Sequence, residues 1–202
     1  RGNMERLEKF NALTIPAGFY WFNPPDTCRF GDGLEIVTNP QTDFWQTTHY
    51  GFQRDDGHCL FTRITGDFTM QTHVTFAPRS QYDQCGLMVR LNADNWIKMG
   101  IEYEDTAVSR LGSVVTNLGY SDWATQDIRS DQHERWYRLS RNGNDFLLEQ
   151  SPDGLTWVQM RITHLHVGPP QVEVGPYACS PIGQDFWCKF SWVEVSPNVW
   201  RL

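Results

Sequence analysis

No apolar run in the 202-residue sequence approaches the ~20 residues that cross a bilayer, which excludes a membrane-spanning helix. The first ten residues, Arg1 to Phe10, carry charges where a signal peptide carries its apolar stretch. There is no Asn-x-Ser/Thr sequon and no CxxC pair. The five cysteines (Cys28, Cys59, Cys85, Cys179, Cys188) are widely spaced, and four lie in apolar or strand-like segments, a pattern of buried reduced thiols. Positive charge is also scarce: 17 Lys and Arg face 24 Asp and Glu, a net charge of -7. The basic residues are scattered singly, so the phosphate-neutralising surface that nucleic acids and anionic membranes need is missing. No glycine-rich phosphate loop and no Gly-x-Ser-x-Gly elbow occurs, and no basic residue beside Cys85 or Cys179 would lower a thiol pKa. His164-x-His166 has no third ligand at a suitable spacing, so it reads as a solvated edge and no metal is expected. These absences predict a soluble, cytoplasmic protein with no cofactor, no nucleic-acid partner and no membrane partner.

Aromatic residues are abundant: nine Trp, seven Tyr and twelve Phe. Counted with glycine, the apolar share is about 45%, that of an ordinary globular core. From Leu34 onwards short segments of alternating polarity are closed by turn signals such as Asp32-Gly33, Asp56-Gly57, Gly66-Asp67, Asn142-Gly143 and Ser151-Pro152-Asp153-Gly154. The predicted strands are Leu34 to Val37, Cys59 to Ile64, Phe68 to Phe76, Gly86 to Leu91, Trp96 to Tyr103, Leu111 to Thr116, Trp136 to Arg141, Phe146 to Gln150, Trp157 to Ile162, Val172 to Cys179 and Phe186 to Val195. No segment has a 3.6-residue apolar period, and no linker divides the chain. One all-β sandwich domain over residues 1–202 is expected. Arg1-Gly2-Asn3 before Met4 reads as a tag remnant, and residues 1–10 as a remnant or flexible start.

Alternation also predicts faces. In Trp96 to Glu104, Ile97, Met99, Ile101 and Tyr103 point one way, into an inter-sheet core, while Trp96, Lys98, Gly100, Glu102 and Glu104 point the other way onto a mixed, wet face. Phe186, Cys188, Phe190 and Trp192 form a second apolar stripe opposite Trp187, Lys189 and Ser191. Trp157 and Trp192 are assigned to the core.

Six blocks, in order, resemble the DUF1349 family, also labelled the regulation-of-enolase family. They are Thr42 to Phe52 (TDFWQTTHYGF), Tyr82 to Arg90 (YDQCGLMVR), Trp96 to Glu102 (WIKMGIE), Ser121-Asp122-Trp123, Trp136 to Leu139, and Val174 to Pro181 (VGPYACSP). The resemblance covers about Trp21 to Val195. It implies a concanavalin A-like jelly-roll sandwich of two antiparallel sheets, and by analogy of fold a lectin- or glucanase-like protein.

Two constellations bear on function. Glu102 and Glu104 place two carboxylates on one strand face with Cα atoms about 6.5–7 Å apart, within reach of a retaining glycosidase pair. They are the candidate catalytic residues, although glucanases of this fold carry a third acid that is missing here. The alternative is that these carboxylates pair with cations from neighbouring strands. The second constellation suits a saccharide, whose CH faces stack on indoles and whose hydroxyls bond to charged and amide groups. Its candidate ligand-binding residues are Trp45, His49, Asp83, Gln84, Trp96, Lys98, Glu102, Asp122 and Trp123, with Asp43 and Tyr50 nearby; Trp96 and Trp123, the latter in a polar loop, are the expected stacking platforms. His133 also lies near a candidate segment. The expectation is a non-catalytic concave-face site for a saccharide or sugar-derived small molecule. A glycoside-processing enzyme using Glu102 and Glu104, and a regulatory module docking on a glycolytic enzyme, stand as alternatives.

Overall fold

The computed structural model describes residues 5–200. In chain order the strands are β1 (Arg6–Glu8), β2 (Phe19–Phe22), β3 (Thr27–Arg29), β4 (Leu34–Val37), β5 (Phe44–Gln46), β6 (Gln53–Asp55), β7 (His58–Thr65), β8 (Phe68–Ala77) and β9 (Gln84–Asn92). They continue with β10 (Asn95–Tyr103), β11 (Val108–Asn117), β12 (Tyr120–Arg129), β13 (Glu134–Asn142), β14 (Asp145–Ser151), β15 (Val158–His164), β16 (Gln171–Cys179) and β17 (Trp187–Ser196). Among the described residues no helix occurs, and so none is long and apolar enough to cross a membrane.

Two antiparallel sheets form the sandwich. One has the order β15-β14-β13-β8-β17-β4-β3, with β1 also paired to β17; the other has the order β12-β11-β10-β9-β16-β7-β2. Strands β5 and β6 form a separate hairpin. This is a concanavalin A-like jelly roll, and each of the eleven predicted strand segments overlaps an observed strand, with Trp157 and Phe186 one residue outside.

Alternation along each strand builds the core. Ile97, Met99 and Ile101 of β10 meet Met70, Val74, Leu139, Phe190 and Val193 from the facing sheet, all at most 4% exposed. Burial of this apolar area, at roughly 25 cal/mol per Å², drives the two sheets together. The seven-stranded sheet then carries a second apolar cluster on its outer face: Phe61, Met88, Trp96, Val114, Tyr177 and Cys179 pack beneath Phe44 and Trp45 of β5.

Some sequence expectations are corrected. A bulge between Phe190 and Trp192 shifts the phase of β17, so Val193 and Val195 turn inward and Trp192 is left half-buried. Trp157 precedes β15 and lies half-buried with the Arg138 guanidinium 4.3 Å from its ring centroid, outside the core. Within the first ten residues, Arg6–Glu8 pair with β17 and Phe10 is fully buried. The proposed tag remnant, Arg1 to Asn3 before Met4, lies outside the described residues.

Candidate functional site

The site is made by β5 crossing the outer face of the seven-stranded sheet. At one end Thr42 donates its amide to the carbonyl of Ser180, just past β16, and accepts the Ser180 amide on Oγ1. In the middle the Phe44 carbonyl accepts a hydrogen bond from Lys98 Nζ of β10 at 2.8 Å. At the other end the Gln46 amide donates to Ser121 Oγ of β12 at 2.9 Å. Since β9, β10 and β11 lie between β16 and β12, the segment runs across the strands as a bar. Phe44 is its plug, packed 6.0 Å from Trp96 and 6.4 Å from Tyr177 between ring centroids. Gly57 must be glycine, because a Cβ there would lie 2.2 Å from the Phe44 ring.

Beside the bar the concave face holds a cavity of about 330 Å³, lined by Asp43, Trp45, Tyr50, Phe52, Arg54, Tyr82, Gln84, Lys98, Glu102, Val114, Trp123, Pro181 and Ile182. Its floor is polar. Lys98 is 4% exposed and balances the nearby Asp43 carboxylate at 3.5 Å. Gln84 donates to Glu102 Oε1 at 3.0 Å and to the Tyr82 carbonyl, and its own oxygen accepts from the Tyr177 hydroxyl at 3.3 Å. Burial pushes the Glu102 carboxyl up to about 8; Lys98 pulls it back in part, and Asp43 and Glu104 add to the rise. Glu102 is therefore largely protonated at neutral pH.

One wall is aromatic. Trp45 packs edge-on against Trp123 (6.3 Å) and Tyr50 (5.4 Å), and Tyr50 stacks on Phe52 at 5.6 Å. The Trp45 indole donates to the Thr48 carbonyl, which fixes the ring. Three side-chain-bearing residues at the border adopt left-handed backbone: Thr47 (φ 63), His49 (φ 62) and Tyr82 (φ 74). For a β-branched residue such as Thr47 this is costly, and such strain gathers at ligand sites.

Of the residues singled out in the sequence, Trp45, Gln84, Lys98, Glu102 and Trp123 converge on the cavity, with Asp43 and Tyr50. Trp123 does so from β12, not from a loop. The others do not. Trp96 is fully buried beneath the bar with its indole donating to the Ala93 carbonyl, so it supports the floor and offers no stacking face. Asp83 is 1% exposed; its carboxylate accepts the amides of Arg79 and Ser80 and the Ser180 hydroxyl, and thus ties loops together. Glu104 is held by Gln81 (2.6 Å) and Arg110 (3.3 Å) and does not line the cavity. Asp122 is exposed and pairs with Arg161 of β15 at 2.9 Å. His49 stands outside the main cavity on the neighbouring surface hollow, its ring 4.8 Å from Tyr50. His133 lies just before β13, its ring beside Phe76 of the opposite sheet.

Phe52, Arg54, Tyr82, Val114, Pro181 and Ile182 were not foreseen as site residues; the only hint was that all but Arg54, Val114 and Ile182 belong to the six blocks. His164 bonds to Asp145, and among the described residues no group of three or more His, Cys, Asp and Glu side chains could hold a metal. Burial pushes the thiols of Cys59, Cys85 and Cys179 well up, so none is a ready nucleophile.

Known proteins place this arrangement. The protein is 36% identical over 179 residues, 88% of this chain and 89% of the other, to Regulation of enolase protein 1 of Saccharomyces cerevisiae. A crystal structure of a functionally unknown protein from Saccharomyces cerevisiae superposes with a TM-score of 0.84 at 32% identity, covering 91% of this chain and 98% of that one. A GH43 protein from Bacillus licheniformis matches with a TM-score of 0.75 over 95% of this chain and 39% of its own, but at 13% identity, a likeness of fold alone. Matched over residues 21–198 by the family model described as a protein of unknown function, DUF1349, the chain belongs to the DUF1349 family.

Proposed function

We propose that the cavity beside β5 binds a saccharide or sugar-derived small molecule in the cytoplasm, and that it binds without catalysing a reaction. The observation that carries this reading is the meeting of a polar floor, Lys98, Gln84 and Glu102, with an aromatic wall, Trp45, Tyr50 and Trp123, in one pocket. Hydroxyl-rich rings need both surfaces: indoles for their CH faces and paired donors and acceptors for their hydroxyls. Glu102 Oε2 has no hydrogen-bond partner among the described residues, which leaves it available to a ligand. A glycosidase would need a second free carboxylate facing the same bond; Glu104 is engaged by Gln81 and Arg110, and Asp43, the other carboxylate of the cavity, is tied to the Phe44 amide and to Lys98. The scarcity of basic residues argues against nucleic acid or an anionic membrane as partner.

Calorimetric titration with mono- and oligosaccharides and sugar acids tests the proposal. Saturable binding is expected for at least one, weakened about tenfold by Trp123→Ala, as the loss of one aromatic contact of ~1.5 kcal/mol implies. Absence of heat with every sugar would sink it.

A second reading draws on the name of the yeast relative and on the exposed Tyr50, Phe52 and Ile182 at the rim (51%, 42% and 57%), which suit a protein surface. Under that reading the rim docks on a glycolytic enzyme. Purified enolase failing to co-sediment with the protein would count against it.

A further inference from the structure

We propose that the site accepts a compact ligand of one or two sugar rings, or the end of a chain, and excludes the interior of a polysaccharide; this rests on the reading that the cavity binds a saccharide. A concave sheet can cradle a polymer only if a path across its strands is open. Here that path is occupied by peptide. The anchors of β5, at Ser180 just past β16 and at Ser121 of β12, belong to strands with three others between them, and the segment from Thr42 to Gln46 spans up to about 14 Å of the face over β9, β10 and β11.

The bar is not a loosely draped loop. Phe44, Trp45 and Gln46 are all buried, at 0%, 8% and 4% exposure, and the Phe44 ring fills the space over Trp96 that a sugar ring would otherwise take. What remains open is the pocket beside it, and its volume of about 330 Å³ lies at the small end of the ~300–1,000 Å³ of ligand sites. Trp123 bounds the pocket at the β12 side, and Pro181 and Ile182 bound it beyond β16. The unpartnered Glu102 oxygen lies on the floor of this pocket, beside the bar.

Affinity as a function of chain length tests the inference, with calorimetry on the full chain against glucose, cellobiose and cellohexaose and, in parallel, xylose, xylobiose and xylohexaose. Affinity is expected to reach its plateau by the disaccharide and to change less than threefold on going to the hexasaccharide. A rise of tenfold or more from disaccharide to hexasaccharide would overturn the inference and leave the saccharide-binding reading intact. No binding at any length in either series would overturn both.

Discussion

Lys98 on β10 donates from Nζ to the carbonyl of Phe44, 54 residues earlier, and so fastens the bar to the sheet at the point where the cavity begins. The ammonium is both scaffold and floor. Two partners, the Phe44 carbonyl and the Asp43 carboxylate, offset its burial.

Replacing Lys98 by Met takes the ammonium from the Phe44 carbonyl and leaves the half-buried Asp43 carboxylate with the Phe44 amide but no cation, and a loss of about 3 kcal/mol is expected. Lys189→Met provides the contrast: its partner Asp32 is exposed, so that change is expected to cost under ~1 kcal/mol. Denaturant unfolding of the two variants decides; equal midpoints would show that the anchor contributes nothing.

Glu102 gives a pH dependence with a defined sign. Its carboxyl rises from an ordinary 4.5 to about 8 in the folded chain, so between these values the folded form holds a proton that the unfolded form has lost. Stability contributed by this group is full below about pH 4.5 and declines as pH climbs through about 8. Glu102→Gln has no proton to lose. Its melting temperature is expected to gain on that of the parent protein from pH 5 to pH 9, and parallel profiles would remove burial of the carboxyl as a cause.

Gly86, Gly100 and Gly112 stand in register on the neighbouring strands β9, β10 and β11. A Cβ at Gly86 would lie 1.8 Å from the Met99 carbonyl oxygen, a backbone atom that cannot swing aside. Gly86→Ala is expected to cost about 3 kcal/mol or more. Gly143→Ala adds a Cβ with nothing within 4 Å and, despite its positive φ of 61, is expected to cost less, about 1 kcal/mol. Thermal melts compare the pair directly.

Asp83 and Asp122, alike in the sequence, separate in the fold. Asp83→Ala is expected to lose about 2–3 kcal/mol of stability because three donors, the buried Ser180 hydroxyl among them, lose their acceptor. Asp122→Ala removes an exposed partner of Arg161 and is expected to shift stability by less than ~1 kcal/mol with sugar affinity unchanged. A large affinity loss in Asp122→Ala would return that residue to the site.

The strands were legible because one face of each is buried, which imposes the two-residue period, and the faces of β10 followed from that period alone. Strand β12 was not: at the sheet edge most of its residues are exposed, so no alternation marks it, and Trp123 seemed to lie in a loop. The bulge at Phe190 misled in another way, since one extra residue reverses every later side chain and turns Trp192 outward. Trp96 was given the correct face but the wrong environment, because a wet face and a face covered by β5 look the same along β10. That cover depends on hydrogen bonds between residues far apart in the chain, for which no local pattern exists. That Gln84, Lys98 and Glu102 share a face was legible because polar groups on an otherwise apolar sheet stand out, whereas Ile182 and Pro181, which line the same cavity, lie past a strand end with no period to point to them.

The anchors of β5 reach over sequence separations of 54, 75 and 138 residues. Ladder pairs of the sandwich close loops as long, Lys189 with Glu35 for one, but β5 shares no ladder with either large sheet. The cavity is thus hung on a sandwich whose ladders do not need it, and it is expected to be lost first. Release of this one hairpin opens the whole face while both sheets keep their ladders, so amide exchange at Thr42 and Gln46 would report a subglobal opening distinct from unfolding of the β9 and β10 core.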